Sequence, residues 1–207
     1  EPVFSEYSYG FRPGRCCQQA IIKALEFMND GYLWVVDIDL EKFFDNVPQD
    51  KLMSYLHRII NDGDTESLIR KFLKAGVMVN DTIEKTDTGT PQGGNLSPLL
   101  SNIMLTELDK ELEARGLHFT RYADDCIILV KSHAAANRVM HSVTDFIERK
   151  LGLKVNATKT KIVPPKHLKY LGFGFWKDKD GTWKARPNND SMMKFQRKVK
   201  LLCKRSW

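Results

Sequence analysis

Two apolar runs flank a pair of adjacent aspartates in the segment FTRYADDCIILV, residues 119–130. The runs predict two short strands joined by a tight turn that carries Asp124 and Asp125. Adjacent carboxylates repel each other at neutral pH, although aspartate is also a favoured turn residue. The segment therefore predicts a hairpin and raises the question of what balances its charge.

A second pair of carboxylates lies in VVDIDL, residues 35–40. Side chains alternate across a strand, so Asp37 and Asp39 share one face with Val35. A polar face at a sheet edge would give the same pattern. If the two strands are neighbours, Asp39 and the Asp124/Asp125 pair can hold Mg²⁺, which one or two carboxylates bind together with substrate phosphates. Phosphoryl transfer often uses two such ions.

The remaining pattern alternates helices with short strand pairs. Apolar spacing and stop signals predict helices over about 15–29, from Pro48, 65–75, 98–115, 134–152 and from about 190. Weak alternation over 77–87 suggests a hairpin turning at Asn80-Asp81, and Asp180-Gly181 predicts a second hairpin turn. We expect an α+β fold with a central antiparallel sheet packed on helices.

Composition narrows the functional class. The 207 residues are 42% hydrophobic, enough for a real core. We find no apolar run of about 18 residues and no signal peptide, which predicts an intracellular, cytoplasmic protein with no membrane partner. The four cysteines have neither zinc-site nor disulfide-framework spacing and are expected to be free thiols.

Charge is divided unevenly along the chain. Residues 150–207 contain 16 Lys and Arg against 3 Asp and Glu, whereas residues 1–149 contain 16 against 23. A solvated face would explain an isolated lysine run. Here aromatic residues are interleaved with the charge, as suits a surface that follows a phosphate backbone. Nucleic acid is the leading candidate partner.

Several blocks together carry a family resemblance. The chain contains, in order, YSYGFRPGRCCQQAI, DIDLEKFFDNV, GTPQGGNLSPLLSNIMLTELD, RYADD, LGLKVNATKTKI and LKYLGFGFW. This succession resembles the reverse transcriptase/maturase proteins encoded by bacterial group II introns. The resemblance implies a right-hand polymerase with palm and partial fingers, which extends a DNA primer on an RNA template by two-metal phosphoryl transfer.

The resemblance also implies roles for individual residues. Asp39, Asp124 and Asp125 would be catalytic ligands of two Mg²⁺ ions, with Asp37 as the runner-up ligand or a hydrogen-bond acceptor behind them. Lys159, with Lys161 as a close competitor, would stabilise or protonate the leaving pyrophosphate. Phe44 would exclude a ribose 2′-hydroxyl while Phe43 packs in the core.

Two further groups complete the implied site. Arg12, Gln92, Gly93 and Tyr122 would bind the incoming nucleotide and template. Nucleic acid would contact a second group of residues: Lys161, Lys169, Tyr170, Gly172, Lys194 and Arg197.

The implied organisation is a fingers/palm domain over 1–176, followed by a connecting hairpin and the start of a thumb over 177–207. The family's triphosphate-clasping fingers block and full thumb are not recognisable, which predicts a palm-centred part of a longer protein. Expected partners are group II intron RNA, an RNA template, a DNA primer and deoxynucleoside triphosphates. A homodimer is one possible assembly. The alternative is a non-catalytic, RNA-binding splicing cofactor; a metal-dependent hydrolase ranks third because no histidine or glutamate base lies near the motif.

Overall fold

In the computed structural model, residues 1–75, 77–79, 82–84, 88–91 and 94–203 are described, with only the backbone of 77–79 and 82–84. The helices are α1 (Cys17–Asn29), α2 (Phe43–Asn46), α3 (Gln49–Ile60), α4 (Gly63–Lys74), α5 (Ser97–Ala114), α6 (His133–Asp145) and α7 (Asn189–Leu202). The strands are β1 (Trp34–Ile38), β2 (Val77–Val79), β3 (Thr82–Glu84), β4 (His118–Tyr122), β5 (Asp125–Val130), β6 (Lys161–Val163), β7 (Lys169–Tyr170), β8 (Phe173–Lys177) and β9 (Trp183–Pro187).

A four-stranded antiparallel sheet occupies the centre of the fold, in the order β4-β5-β1-β6. The hairpin predicted from residues 119–130 is its β4-β5 pair, with Ala123 and Asp124 in the turn. Strand β1 lies beside β5, as a site shared by the two carboxylate pairs requires. The expected central antiparallel sheet is confirmed.

The alternation of β1 separates two hydrophobic cores. Val36 and Ile38 lie in the first core, which also includes Leu105, Phe119 and Ile128. On the other sheet face, Val35 lies in the second core, whose members include Ile21, Ile127, Leu129 and Tyr170. Because Asp37 shares a face with Val35, its carboxylate continues the second-core face toward the end of the strand.

Helix α5 is buried along most of its length and contacts α3 and β4. Its first turn contains Pro98, which suits a helix start because proline lacks an N–H that would be unpaired there. Polar residues are also buried on it, including Asn102 and Asp109. A buried polar face of this kind needs partners within the protein.

The second half of the chain also follows the predicted pattern with one change. The helix expected over 134–152 is α6 followed by a π-helical segment, Phe146–Leu151, and it ends at Gly152 with a φ of 70°. Strands β8 and β9 form the hairpin predicted around Asp180-Gly181, and β8 also pairs with β7, which makes a three-stranded sheet. The division at 176/177 falls within β8, and the turn predicted at Asn80-Asp81 lies outside the described residues.

Two composition-based expectations can also be compared with the structure. All four cysteines are free thiols, as predicted. In the part of the chain that the structure describes, every helix is too short or too polar to span a bilayer.

Candidate active site

The four aspartates predicted as a site come together where β1 ends and β5 begins. Asp37 lies opposite Ile127, and Ile38 lies opposite Cys126. Extending this register by one residue places Asp39 opposite Asp125. Asp124 occupies the turn immediately before Asp125. Two separate sequence motifs therefore meet at one end of the two central strands, which is called the sheet edge.

Burial and mutual repulsion both disfavour the ionised form of the carboxylates at this edge. Desolvation and repulsion from Asp124, Asp37 and Asp39 raise the pKa of Asp125 to about 6. Burial also raises the pKa of Asp37, against the opposing effect of Lys161. Both shifts mean that the ionised carboxylates are under-compensated, so a bound cation would be favoured here.

The backbone of Asp39 is held by the segment that precedes β6. The Asp39 N–H donates to Thr160 Oγ1 at 3.1 Å, and the Asp39 carbonyl accepts from the Asn156 N–H at 2.8 Å. Neither residue is among the predicted site residues. These contacts fix Asp39 after its strand has ended.

Asn156 also shapes the turn that presents Lys159. Its Oδ1 accepts from the backbone N–H of Thr158 at 3.1 Å and of Lys159 at 3.3 Å. Asparagine commonly makes such bonds to the backbone two residues ahead, so the Asn-Ala-Thr spacing was a usable signal for this turn.

The competing lysines pair with different aspartates. Lys159 Nζ lies 3.7 Å from Asp39 Oδ2, and Lys161 Nζ lies 3.5 Å from Asp37 Oδ2. Lys161 is directly opposite Asp37 in the β1-β6 pair, whereas Lys159 projects from the turn. Both side chains are about half exposed or more, at 68% for Lys159 and 49% for Lys161, so either can move toward a phosphate.

The two phenylalanines of α2 have different surroundings. Phe43 is 3% exposed and belongs to the first core, which confirms its predicted packing role. Phe44 is only partly buried, and its ring centroid lies 5.3 Å from that of Phe43. The Phe44 carbonyl accepts from the Thr90 N–H at 2.7 Å, so the loop containing residues 88–91 is anchored beside this ring.

Gln92 and Gly93, predicted to contact nucleotide and template, lie outside the described residues. Tyr122 is partly buried and pairs with Asp125 across the hairpin. The Arg12 guanidinium donates to the carbonyls of Ser5 and Ser8 and to the Glu1 carboxylate, within the N-terminal segment.

The predicted nucleic-acid contacts have unequal access to solvent. Lys194 and Arg197 are exposed on α7, and Lys169 is exposed but paired with Asp190 at 2.8 Å. Gly172 has a φ of 82°, and its carbonyl accepts from Ser191 Oγ at 2.9 Å. Tyr170 is 3% exposed and its hydroxyl donates to the Thr120 carbonyl, so its ring packs in the second core and offers no stacking face.

The donor chemistry at the sheet edge fits Mg²⁺. Among the described residues, no three His, Cys, Asp or Glu side chains converge tightly enough to hold a metal by themselves. Mg²⁺ does not require such a cage, because substrate phosphates and water supply the rest of its oxygen ligands. Carboxylates in this arrangement are therefore compatible with Mg²⁺ when a nucleotide supplies further oxygen ligands.

Comparison with known proteins gives a family match over most of the chain. The sequence profile described as "Reverse transcriptase (RNA-dependent DNA polymerase)" matches residues 2–175. The group II intron-encoded protein LtrA of Lactococcus lactis subsp. cremoris is 43% identical over 61% of this chain and 21% of LtrA. A putative COX1/OXI3 intron 2 protein of Saccharomyces cerevisiae is 30% identical over 89% of this chain and 28% of that protein.

Protein YkfC of Escherichia coli is 32% identical, over 78% of this chain and 52% of YkfC. The chain thus spans between about a fifth and about a half of the length of these relatives. Among solved structures, apo telomerase from Candida tropicalis superposes with a TM-score of 0.68 at 16% identity, covering 88% of this chain and 41% of the telomerase chain. That likeness concerns the fold alone and confirms the expected α+β polymerase fold.

Proposed function

Because the chain belongs to the reverse transcriptase (RNA-dependent DNA polymerase) family, we propose that it extends a DNA primer on an RNA template with deoxynucleoside triphosphates. The meeting of Asp39, Asp124 and Asp125 at one sheet edge carries the proposal. An edge with this excess of negative charge suits divalent-metal chemistry better than direct binding of phosphates.

Asp39 and Asp124 are proposed as ligands of two Mg²⁺ ions, with Asp125 supporting them from the start of β5. When bound, Mg²⁺ lowers the pKa of an attacking hydroxyl and offsets the charge of the triphosphate. Thr160 and Asn156 hold the Asp39 backbone, so this carboxylate needs little reorganisation when substrate arrives.

Lys159 is proposed to act on the leaving pyrophosphate, as a charge stabiliser or proton donor. Its ammonium group is close to Asp39 and its side chain is mostly exposed. It can therefore exchange its carboxylate partner for a phosphate without unfolding the turn. Lys161, which lies opposite Asp37 within the sheet, is proposed to contact nucleic acid.

Phe44 is proposed to exclude the ribose 2′-hydroxyl, and Arg12, Gln92, Gly93 and Tyr122 to bind the incoming nucleotide and template. Residues 1–176 would form partial fingers and palm, and 177–207 a connecting hairpin with the start of the thumb. Along that path, Lys169, Gly172, Lys194 and Arg197 would face the duplex. The exposed basic residues of α7 support this orientation.

Intron RNA is the proposed biological partner, because relatives of this chain are described as intron-encoded. The protein would also assist splicing of the RNA that encodes it. A splicing cofactor without polymerase activity is the second candidate, favoured by the basic C-terminal region alone. It gives no reason for the carboxylate cluster, whose charges repel one another.

Primer extension by the intact protein tests the proposal. We expect Mg²⁺-dependent incorporation of deoxynucleotides on an RNA template. Asp124→Asn should reduce the rate by orders of magnitude with the melting temperature preserved, because a metal ligand is lost. Asp178→Asn, in the β8-β9 turn, is a matched control that should leave the rate unchanged. Extension by a folded Asp124→Asn variant at nearly wild-type speed would reject the polymerase assignment of this edge.

A further inference from the structure

A buried arginine lies directly beneath the turn that carries Asp124. Arg121 is fully buried, as is Asp109 on α5. The Arg121 Nε donates to Asp109 Oδ1 at 2.7 Å, and the Arg121 Nη2 donates to Asp109 Oδ2 at 2.5 Å. The ion pair is therefore bidentate.

The remaining N–H groups of the guanidinium also have partners. Nη1 donates to Asn102 Oδ1 at 3.0 Å and to the Ala123 carbonyl at 2.8 Å, and Nη2 donates to Ser8 Oγ at 2.9 Å. An arginine side chain has five N–H donors, and all five are used here. No other standard side chain could make this set of contacts.

The hydrogen bond from Arg121 to the Ala123 carbonyl matters because Ala123 has an unfavourable backbone conformation. Its φ is 56°, in the left-handed region that costs a residue other than glycine about 1 kcal/mol or more. Ala123 immediately precedes Asp124. Any relaxation of this turn would therefore change the direction of the Asp124 side chain.

The N-terminal segment closes the other side of the same turn. The Arg121 N–H donates to the Tyr7 carbonyl at 2.9 Å, and the Tyr9 N–H donates to the Arg121 carbonyl at 2.8 Å. A Cβ placed on Gly10 would lie 2.2 Å from the Ala123 nitrogen, and Asn102 Nδ2 donates to the Gly10 carbonyl at 2.9 Å. The turn is thus held between Gly10 and the guanidinium.

A buried ion pair is a poor explanation of stability by itself, because well-packed apolar replacements are often as stable or more stable. What an apolar pair cannot supply is a donor to the Ala123 carbonyl. We propose that Arg121 is a positioning residue: together with Asp109, Asn102 and Ser8 it holds the left-handed turn that presents Asp124 at the sheet edge. The consequence for catalysis rests on the proposed polymerase function.

The test compares two changes in the intact protein. Arg121→Lys keeps the positive charge beside Asp109 but cannot reach all five acceptors. The double variant Arg121→Met/Asp109→Leu removes both buried charges together. Leu112→Ala, elsewhere on α5 and fully buried, is a destabilised control outside the site.

We expect both Arg121 variants to lose up to ~10²-fold in kcat and to need more Mg²⁺ for half-maximal rate, since small misplacements of reacting groups have effects of this size. Leu112→Ala should lower the melting temperature while keeping both kinetic values, measured well below that temperature. Wild-type kcat and Mg²⁺ dependence in a folded Arg121 variant would overturn the proposal.

A second measurement needs no polymerase activity. The three-bond coupling between the amide and α protons of Ala123 reports its φ by NMR. Arg121→Lys should shift this coupling, and Leu112→Ala should not. If wild-type protein extends no primer, the proposed function fails and the positioning role is judged by this coupling; an unchanged value in Arg121→Lys overturns it. If the double variant does not fold, the Ala123 coupling measured in Arg121→Lys alone decides the proposal.

Discussion

At the scale of single residues, Asp125 has the clearest electrostatic signature. Its folded-state pKa of about 6 lies above the value of about 3.9 for an unfolded aspartate. The folded protein therefore binds more protons between about pH 4 and pH 6, and stability contributed by this group falls as pH rises through that window. Above pH 6 the full unfavourable effect of the ionised carboxylate is present.

Asp125→Asn should accordingly raise the melting temperature at pH 7.5 in the presence of a chelator. The gain should shrink toward pH 4, where the wild-type carboxyl is protonated in the folded state and no longer repels its neighbours, and it should also shrink when Mg²⁺ is added. Asp178→Asn provides a comparison in which the melting temperature should change in the opposite direction. Lys184 lowers the pKa of Asp178, so removing the Asp178 carboxylate should slightly destabilise the protein at neutral pH. A melting temperature of Asp125→Asn equal to wild type at pH 7.5 without metal would contradict the charge imbalance.

The adjacent rings of α2 give a second prediction at this scale. Phe44→Ala or Phe44→Val should raise ribonucleotide incorporation relative to deoxynucleotide, because a clash with the 2′-hydroxyl is removed and no new attraction is created. Deoxynucleotide use should change less. Steady-state incorporation of matched ribo- and deoxynucleotides measures the preference.

Phe43→Ala is the matched change in the first core. Truncating this 3%-exposed ring should lower stability by roughly 3–5 kcal/mol, measured by denaturant unfolding, without altering sugar preference. If Phe43 shifts the preference and Phe44 does not, the register that assigns Asp39 as first metal ligand is wrong by one residue.

At the scale of elements, the turn before β6 connects local sequence to catalysis. Asn156→Ala removes the acceptor for the Thr158 and Lys159 N–H groups. We expect a loss of about 1 kcal/mol in stability, typical of a deleted hydrogen bond, and a lower kcat through displacement of Lys159. Asn156→Asp keeps an acceptor oxygen at the same position and should retain more activity. Equal kcat for wild type and Asn156→Ala would show that this turn does not position Lys159.

At the scale of the whole molecule, charge separation is the dominant feature. Basic residues after position 150 include the exposed Lys194 and Arg197 on α7, whereas the acidic residues concentrate before position 150. Such a distribution predicts RNA affinity that falls steeply with salt, because bound cations are released from the phosphate backbone.

Neutralising Lys194 and Arg197 together should reduce the slope of log K against log salt by about 0.9 per lost phosphate contact on a duplex, and by about 0.7 on a single strand. Filter binding or fluorescence anisotropy across a salt series measures the slope. Neutralising Lys110 on α5 and Arg115 directly after it is the comparison at equal charge change. An identical slope for wild type and the α7 variant would show that Lys194 and Arg197 are solvated and do not contact phosphates.

The sequence alone determined the longer helices, the β4-β5 hairpin and the alternation of β1, because each depends on periodicity or turn chemistry within a short window. The short helix α2 was not among the predicted elements. It also placed Phe43 in the core and indicated the acidic motifs. Tertiary structure decided what these motifs contact. Only the strand order brings Asp39 close to Asp125 and each lysine against its own aspartate.

Three features depended on distant segments and were absent from the sequence-based expectations. Thr160 and Asn156 support Asp39 from more than a hundred residues away. Tyr170 packs inward because its hydroxyl meets Thr120 across the second core. In the sequence, Arg121 is only a strand residue two positions before the turn. Its five hydrogen bonds exist because Ser8, α5 and the turn converge around one guanidinium, and no local pattern specifies such convergence.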